Sequence, residues 1–409
     1  MTPNTLLGII LLYMATIVGS GVSTKLDSFS AGKEAAAISY YQLDKYNPNV
    51  IISFISTIFN PQEVIRGIHS VIKEAPLIGC SSVASILTSG VFRNSVSVFT
   101  ISSDSITFSC GAVDEAAKNP RTISYAAASE ASNSIKAEKQ AYLMFSDGVL
   151  GINRTDILRG AQELFGTNFP IIGGPATDNL AFQKTYQYLN NNVYLNAISG
   201  LLISGKISVG VGKGIGCQPI GRPHKITKAK SNIIKEIDKK VAIEIYEEYF
   251  EKSFEELIKE GIAKLGIMYP LGMRESKEKK DYIIRAPLKV GDDGSLILSA
   301  EMPEGENVSL MFGDSNLLLE STKDAAMNAV KDIKNKTIKF VIVFSDIGRF
   351  QLLKKDAQKE IEIIRSVIGK NIPILGCYTC GEYVPYEKNG ITSQFYFNNQ
   401  AISVAAFSE

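Results

Sequence analysis

Pro76-Leu77-Ile78-Gly79-Cys80-Ser81-Ser82, Pro170-Ile171-Ile172-Gly173-Gly174-Pro175-Ala176 and Pro373-Ile374-Leu375-Gly376-Cys377-Tyr378-Thr379 are one phrase written three times. Each stands roughly thirty residues after the start of an apolar run: Val50 to Ile55, Ala141 to Phe145, and Phe340 to Phe344. Aliphatic runs without alternation suit strands buried on both faces, which occur in parallel sheets covered by helices. A parallel pair needs a crossover, normally a helix. The intervening segments supply one. Pro61 to Ile72 begins with Pro in its first turn and repeats aliphatics three and four apart. Asp156 to Phe165 and Asp356 to Ile368 show the same spacing. Each phrase therefore reads as β-α-β with Gly near the end of the second strand, where it permits φ > 0 and close backbone approach. Ligands of open α/β sheets bind beyond such strand ends.

A second echo, Ala197 to Ser204 against Ala401 to Ser408, follows its phrase at a similar distance in both cases. The expected fold class is α/β: two domains of repeated β-α-β units with buried strands, plus antiparallel hairpins. We place a leader at 1–17, one domain at 18–225 and a second at 226–409. Gly291-Asp292-Asp293-Gly294 between two apolar stretches predicts a hairpin. Arg222 to Lys240 reads as a polar linker, with its lysines on a solvated helix or loop face. One strong helix is expected from Ile243 to Leu257. Another is expected from Ser321 to Ile333, opened by Ser-Thr-Lys-Asp as an N-cap. Arg274 to Asp281 reads as an exposed loop.

The 409 residues carry 43 basic and 42 acidic side chains, a formal net charge of +1. That excludes bulk electrostatic attraction to nucleic acid or an anionic membrane. Five cysteines make no disulfide framework for a chain this long, so a reducing, cytoplasmic setting is expected. Leu6 to Val18 is apolar but short for a bilayer span, and no Lys or Arg precedes it. A buried first strand over Ala15 to Val22 is the favoured reading, a membrane anchor or signal the alternative.

Most chemical motifs fail on context. Gly210-Val211-Gly212-Lys213-Gly214-Ile215-Gly216 opens no helix, so it reads as a glycine-bearing strand or hairpin rather than a phosphate loop. Cys377-Tyr378-Thr379-Cys380 has no partner pair for zinc; a redox dithiol and two packed small residues are its open readings. His69 and His224 are the only histidines, so a hydrolytic triad has few candidates for its base. What remains is a set of polar turns at predicted strand ends. Cys80, Ser81, Ser82, Asp178, Ser345, Asp346, Arg349, Tyr378, Thr379 and Glu382 are the candidate ligand-binding residues. Arg349 suits a bidentate carboxylate, and Glu382 or Asp178 an ammonium group.

These residues resemble those of the FIST sensory proteins, which pair an N-terminal with a C-terminal FIST domain. The resemblance rests on Gly19-Ser20-Gly21-Val22-Ser23 with Asp27, Ala31 and Ala35; on the phrase at 76–82; on Ile172 to Asp178; and on Gly376 to Glu382. It implies a ligand-binding sensory module, not an enzyme. The ligand would be an amino acid or similar metabolite, and the partner a separate kinase, chemotaxis or cyclic-dinucleotide protein. One branch of the family resembles a haem-based nitric-oxide sensor. Two departures bear on this. Ser345 stands where the family commonly has Cys, and Phe397-Asn398-Asn399 where it often has Phe-His-Asn. Loss of that His weakens the haem alternative, for which His69 or His224 would have to serve. A Cys80 or Cys377 nucleophile is the remaining alternative, and it requires a lowered thiol pKa. No cofactor, metal, nucleic acid or membrane is expected.

Overall fold

The computed structural model describes residues 16–149, 151–275, 281–331, 333, 336–388 and 391–409. The leader up to residue 15 and the middle of the 274–281 loop lie outside the described residues.

The chain passes through one succession of elements three times. The first pass is β1 (Ile17–Ser23), α1 (Ser28–Tyr41), β2 (Val50–Ile55), α2 (Pro61–His69) and β3 (Leu77–Ser81). A hairpin of β4 (Ala84–Leu87) and β5 (Gly90–Arg93) follows, then β6 (Val96–Ser102). The second is β7 (Ile106–Val113), α3 (Pro120–Ser132), β8 (Lys139–Ser146), α4 (Arg154–Phe165) and β9 (Ile171–Pro175). Its hairpin is β10 (Gln187–Leu189) with β11 (Asn192–Tyr194), and β12 (Ile198–Gly205) closes it.

The third pass opens with β13 (Ser208–Ile215) and is then interrupted by an inserted body. That body comprises β14 (Cys217–Lys230), β15 (Ile233–Ile237), β16 (Lys240–Val241), α5 (Glu244–Phe250), α6 (Phe254–Glu260), α7 (Ile262–Met268), β17 (Leu271–Arg274), β18 (Tyr282–Arg285), β19 (Pro287–Val290), β20 (Leu296–Leu298) and β21 (Asn307–Gly313). The third pass resumes with α8 (Ser315–Lys331), β22 (Ile338–Asp346), α9 (Ile347–Leu353), α10 (Ala357–Ile368) and β23 (Ile374–Thr379). The hairpin of β24 (Glu382–Lys388) and β25 (Ile391–Asn398) and the strand β26 (Ala401–Ser408) complete it.

Strand order repeats as well: β1-β6-β2-β3, β7-β12-β8-β9 and β13-β26-β22-β23. In each, the pair carrying the repeated phrase is parallel, and the other pairs are antiparallel. The repeated β-α-β unit is thus present, in three copies. The echo between residues 197–204 and 401–408 is the match of β12 to β26. The phrase glycines are fixed by close approach. A Cβ at Gly79 would stand 1.8 Å from the Ser53 carbonyl, at Gly376 1.8 Å from that of Val343, and at Gly173 2.4 Å from that of Met144. Among these three, Gly173 alone has positive φ, +112°.

The hairpins tie the units together in a ring. The first unit's β4 pairs with β23 of the third. The second unit's β10 pairs with β3 of the first. The third unit's β24 packs against β9 of the second, where Cys380 N donates to Pro175 O at 2.9 Å. Helix pairs α1/α2, α3/α4 and α8/α10 cover the outer faces. The inner faces share one core, with Ile52, Phe54, Leu143, Phe145, Ile342 and Phe344 among its members. Gly210, Gly212 and Gly214 lie on β13, and a Cβ on any of them would strike the α8 backbone. The strand reading of that run holds.

Several local expectations are corrected. Residues 222–240 are no linker: β14 and β15 form an antiparallel pair there, its alternation burying Ile226 and Ile234 and exposing the lysines. The helix expected from Ile243 to Leu257 is two. Glu251 is left-handed, and Ser253 with Glu256 builds a capping box that starts α6. Ser321 caps nothing: α8 begins at Ser315, and Asp314 accepts from Asn316 N at 2.9 Å. The 291–294 hairpin is present as β19–β20. No helix among the described residues is long and apolar enough to cross a membrane.

Candidate functional site

Three parallel strand pairs end at one place. Phe54, Phe145 and Phe344 hold equivalent positions on β2, β8 and β22, and their rings meet edge to face with centroids 5.9, 6.2 and 5.8 Å apart. Beyond this aromatic plug the phrase turns join one another. Thr177 N donates to Ser81 O at 3.1 Å, repeating the Cys380 to Pro175 bond one unit on. Ser81 Oγ donates to Thr177 O at 2.9 Å, Ser82 Oγ to Tyr378 O at 2.8 Å, and Thr177 Oγ1 to Tyr378 O at 3.0 Å. Turns more than two hundred residues apart in sequence therefore do come together. They fill the space between them, so Ser81 and Ser82 bond within the ring of turns. Cys80 and Cys377 are fully buried beneath it.

The remaining candidates fall into two groups. One is a closed network around Glu360, which the sequence reading did not single out. Arg349 Nε and Nη2 donate to Glu360 Oε1 at 3.0 and 2.8 Å, and Arg349 also reaches Ser321, Thr322 and the Leu318 carbonyl. Ser345 Oγ and Tyr378 OH donate to Glu360 Oε2 at 3.3 and 3.0 Å. Arg349 and Glu360 are both fully buried. The guanidinium expected to hold a ligand is engaged inside the protein, bracing α8, α9 and α10 to one another.

The other group is a polar centre just past the turns. Asp346 caps α9, accepting from Gly348 N at 2.6 Å and from Asn399 Nδ2 at 3.3 Å. Glu382 Oε1 accepts from Thr379 Oγ1 at 2.8 Å. Its Oε2 is buried without a hydrogen-bond partner among the described residues, as is Arg154 Nε. Arg154 comes from the second unit. It donates to Ile152 O at 2.5 Å and Asp147 O at 3.3 Å, and its charge acts on Cys380 and Tyr383. Asp178 closes its own loop, accepting from Phe182 N and Gln183 N at 3.1 and 2.9 Å.

Burial sets the electrostatics here. It pushes the Asp346 carboxyl up to about 6, against the pull of Gly348 and Asn399. Burial, then the Asp346 charge, raises Glu382 well above the usual carboxylate range. Burial pushes the Cys380 thiol up to about 12. Asp346, Cys380 and Asn399 line a crevice of about 10 Å³, covered by Phe182, Ile267 and Gln400. That is room for about one water. Asn399 latches the inserted body down: its Oδ1 accepts from Ala286 N at 3.0 Å and Ser299 Oγ at 2.5 Å.

Asp147 was legible in principle. Ser146-Asp147-Gly148 ends β8 as Ser345-Asp346 ends β22, so the repeat itself points to Asp147. Asn399 stands at the Asn of the family's Phe-His-Asn, whereas nothing in the sequence marks Glu360.

The position that the family often fills with His offers no ring to a haem here, while His69 Nε2 and His224 Nε2 are buried without hydrogen-bond partners among the described residues. Asn398, standing where the family often has His, accepts from Ile284 N and donates to Tyr282 O. His224 Nδ1 lies 2.9 Å from Asp238 Oδ2, beside a cleft of about 50 Å³ lined by Arg222, Lys240, Glu244 and Glu248. His69 Nδ1 is 3.1 Å from the Ile72 carbonyl at the end of α2. No metal-ligating cluster occurs among the described residues. Burial, together with the Cys80 thiol, pushes the Cys377 thiol well up, the reverse of what a thiolate nucleophile needs.

The chain belongs to the FIST family: the FIST N domain model matches residues 49–240 and the FIST C domain model residues 242–385. FIST domains are associated with small-molecule sensing in signalling. An uncharacterised protein of Methanocaldococcus jannaschii is 26% identical over 205 residues. The match takes in 47% of this chain and 38% of that relative, so the chain spans well under half of the curated relative's length. Among solved structures, cyanuric acid hydrolase from A. caulinodans aligns over 96% of this chain and 99% of its own, at 10% identity and a TM-score of 0.39. PurLQS from Thermotoga maritima aligns over 97% and 73%, at 10% identity and a TM-score of 0.22. At these scores neither likeness carries an argument about this chain.

Proposed function

We propose that this member of the FIST family is a sensor. It takes up a small polar metabolite, an amino acid or close relative, at the polar centre, and passes the change to a separate protein. The observation that carries this is that two ionisable groups, among the buried polar atoms left without partners, both act on Cys380 at the polar centre. Glu382 Oε2 and Arg154 Nε are buried without hydrogen-bond partners among the described residues. An unpaired buried polar group is expensive, and folded proteins keep few of them outside functional sites. Glu382 with Asp346 suits an ammonium group. Arg154 takes the carboxylate role first expected of Arg349.

The inserted body covers this centre, so uptake requires it to lift at the Asn399 latch. A ligand that favours one position of the cover shifts the population that a partner reads. The raised thiols favour binding over catalysis in this reading, with no resident cofactor. A cytoplasmic kinase, chemotaxis or cyclic-dinucleotide protein is the proposed recipient.

The test is a thermal-shift panel of amino acids and related metabolites on the wild type and Glu382→Gln. Gln keeps an acceptor for Thr379, so the fold should survive. A true ligand at a hundredfold excess over its Kd stabilises by about 2.7 kcal/mol, and Glu382→Gln should abolish that shift. A wild type that no metabolite stabilises, or a variant that shifts equally, would sink the proposal.

A further inference from the structure

A second concave site lies apart from the polar centre. Where β4–β5 completes the third sheet, it leaves a cleft of about 380 Å³ against the corner between α9 and α10. Val91, Phe350 and Ala357 form its apolar floor, and Arg93, Lys354 and Lys355 stand around it. No carboxylate lines it among the described residues. Two acids on the same stretch of chain are paired: Glu360 with Arg349, and Asp356 with Lys359 at 3.1 Å. Such a volume is in the range of small-molecule sites.

Arg93 is held in place. The Arg93 guanidinium sits 5.5 Å over the Phe350 ring. Lys354 ends α9 at φ 50°, ψ −115°, a conformation that L residues rarely adopt. Strain of this kind persists only where the surroundings enforce it. Gln358 Oε1 accepts from Val91 N at 3.1 Å, pinning the hairpin to α10. Ala357 and Gln358, in the first turn of α10, line the same cleft.

We propose that this cleft binds a compact, multiply charged anion: a phosphate ester or a polycarboxylate metabolite. The three cations converge from two separate elements on one hollow. An acidic protein segment or a nucleic acid would instead call for a stripe of cations, and the net charge of +1 supplies no long-range field for either. The inference does not depend on the polar centre, although α9 runs from Asp346 at one site to Lys354 at the other.

The test is calorimetric titration of the full chain with inorganic pyrophosphate and with citrate at low salt. Single-site binding of either probe is expected, weakening as salt is added. In Arg93→Gln/Lys354→Gln/Lys355→Gln it should weaken about tenfold or more. All three side chains are exposed, so the melting temperature without ligand should hold. Pyrophosphate alone binding would assign the phosphate class, citrate alone the polycarboxylate class. Glu382→Gln should leave this binding intact, which separates a failure here from a failure at the polar centre. Absence of heat from both probes, equal affinity in the triple variant, or binding only of an acidic peptide would overturn it.

Discussion

Arg349 and Asp346 stand three residues apart and take opposite fates. Both are buried and charge-bearing, and both looked like ligand contacts in the sequence. Arg349 meets Glu360, eleven positions on, because the first turn of α10 folds back over α9. No spacing rule announces that pairing, and a buried pair of this kind would lose about 3–5 kcal/mol if one partner were removed. Asp346 keeps three neutral donors, from Gly348, Asn399 and Gln400, and no paired cation, and burial raises its carboxyl from 3.8 to about 6. The sign follows from linkage. Between those values the folded protein holds a proton that the unfolded chain has released, so this group's stabilisation is complete below pH 3.8 and is lost as pH rises through about 6. A shift of that size is worth about 3 kcal/mol. Glu382 is raised too and acts in the same direction. Urea unfolding of the wild type and Asp346→Asn at about pH 5 and about pH 7.5 should therefore show the wild type losing about 1.4 kcal/mol relative to the variant at the higher pH, the remainder of the shift having been lost below about pH 5. Parallel profiles for the two proteins would remove Asp346 as the titrating group.

At the scale of elements, the repeated phrase was legible because its grammar is local. Pro, two aliphatics and Gly describe a strand that starts after a helix and ends against its neighbour. The helices at 61–69, 154–165 and 357–368 follow from the same grammar, with Asn60 and Asn153 as caps for the first two. The phrase does not disclose why its Gly is obligatory. Gly376 faces Val343 in register across β22 and β23, and a Cβ there would stand 1.8 Å from the Val343 carbonyl oxygen. A backbone oxygen inside a paired sheet cannot step aside. Gly376→Ala should lose about 3 kcal/mol or more. Gly151→Ala is the control. Its nearest neighbour would be Ile297 Cγ2 at 3.6 Å, so its effect should stay within about 0.5 kcal/mol. Denaturant midpoints that place the two variants together would show that the sheet yields more than this geometry allows. The split of the 243–257 helix was legible as well: Ser253 and Glu256 spell a capping box that the continuous apolar stripe obscured.

At the scale of the molecule, two domains in sequence are three units in space, and the units are not separable along the chain. The hairpins that join them are built on strands of only three or four residues in the first two units. Strands so short carry no readable period, and their partners lie up to about three hundred positions away, so the ring was invisible to pattern. Its consequence is mechanical. β14 runs straight through residue 225, and the break between the two family models falls at 241. A chain beginning at 242 would lack β13, which pairs with β26, and β4–β5, which pairs with β23. Its sheet would lose both flanks, baring Phe340, Phe344 and Phe407 of the shared core. A fragment ending at 241 would lose the partners of those same strands and the β24 cover over β9. Loss of flanking strands on this scale removes more apolar burial than the margin of about 5–15 kcal/mol that holds a domain folded. Neither fragment alone should give a cooperative thermal transition, whereas the two refolded together should elute as one complex and recover it. Circular dichroism melts of the separate fragments decide the point: cooperative unfolding of either one by itself would mean that the exchanged hairpins decorate the units without closing them.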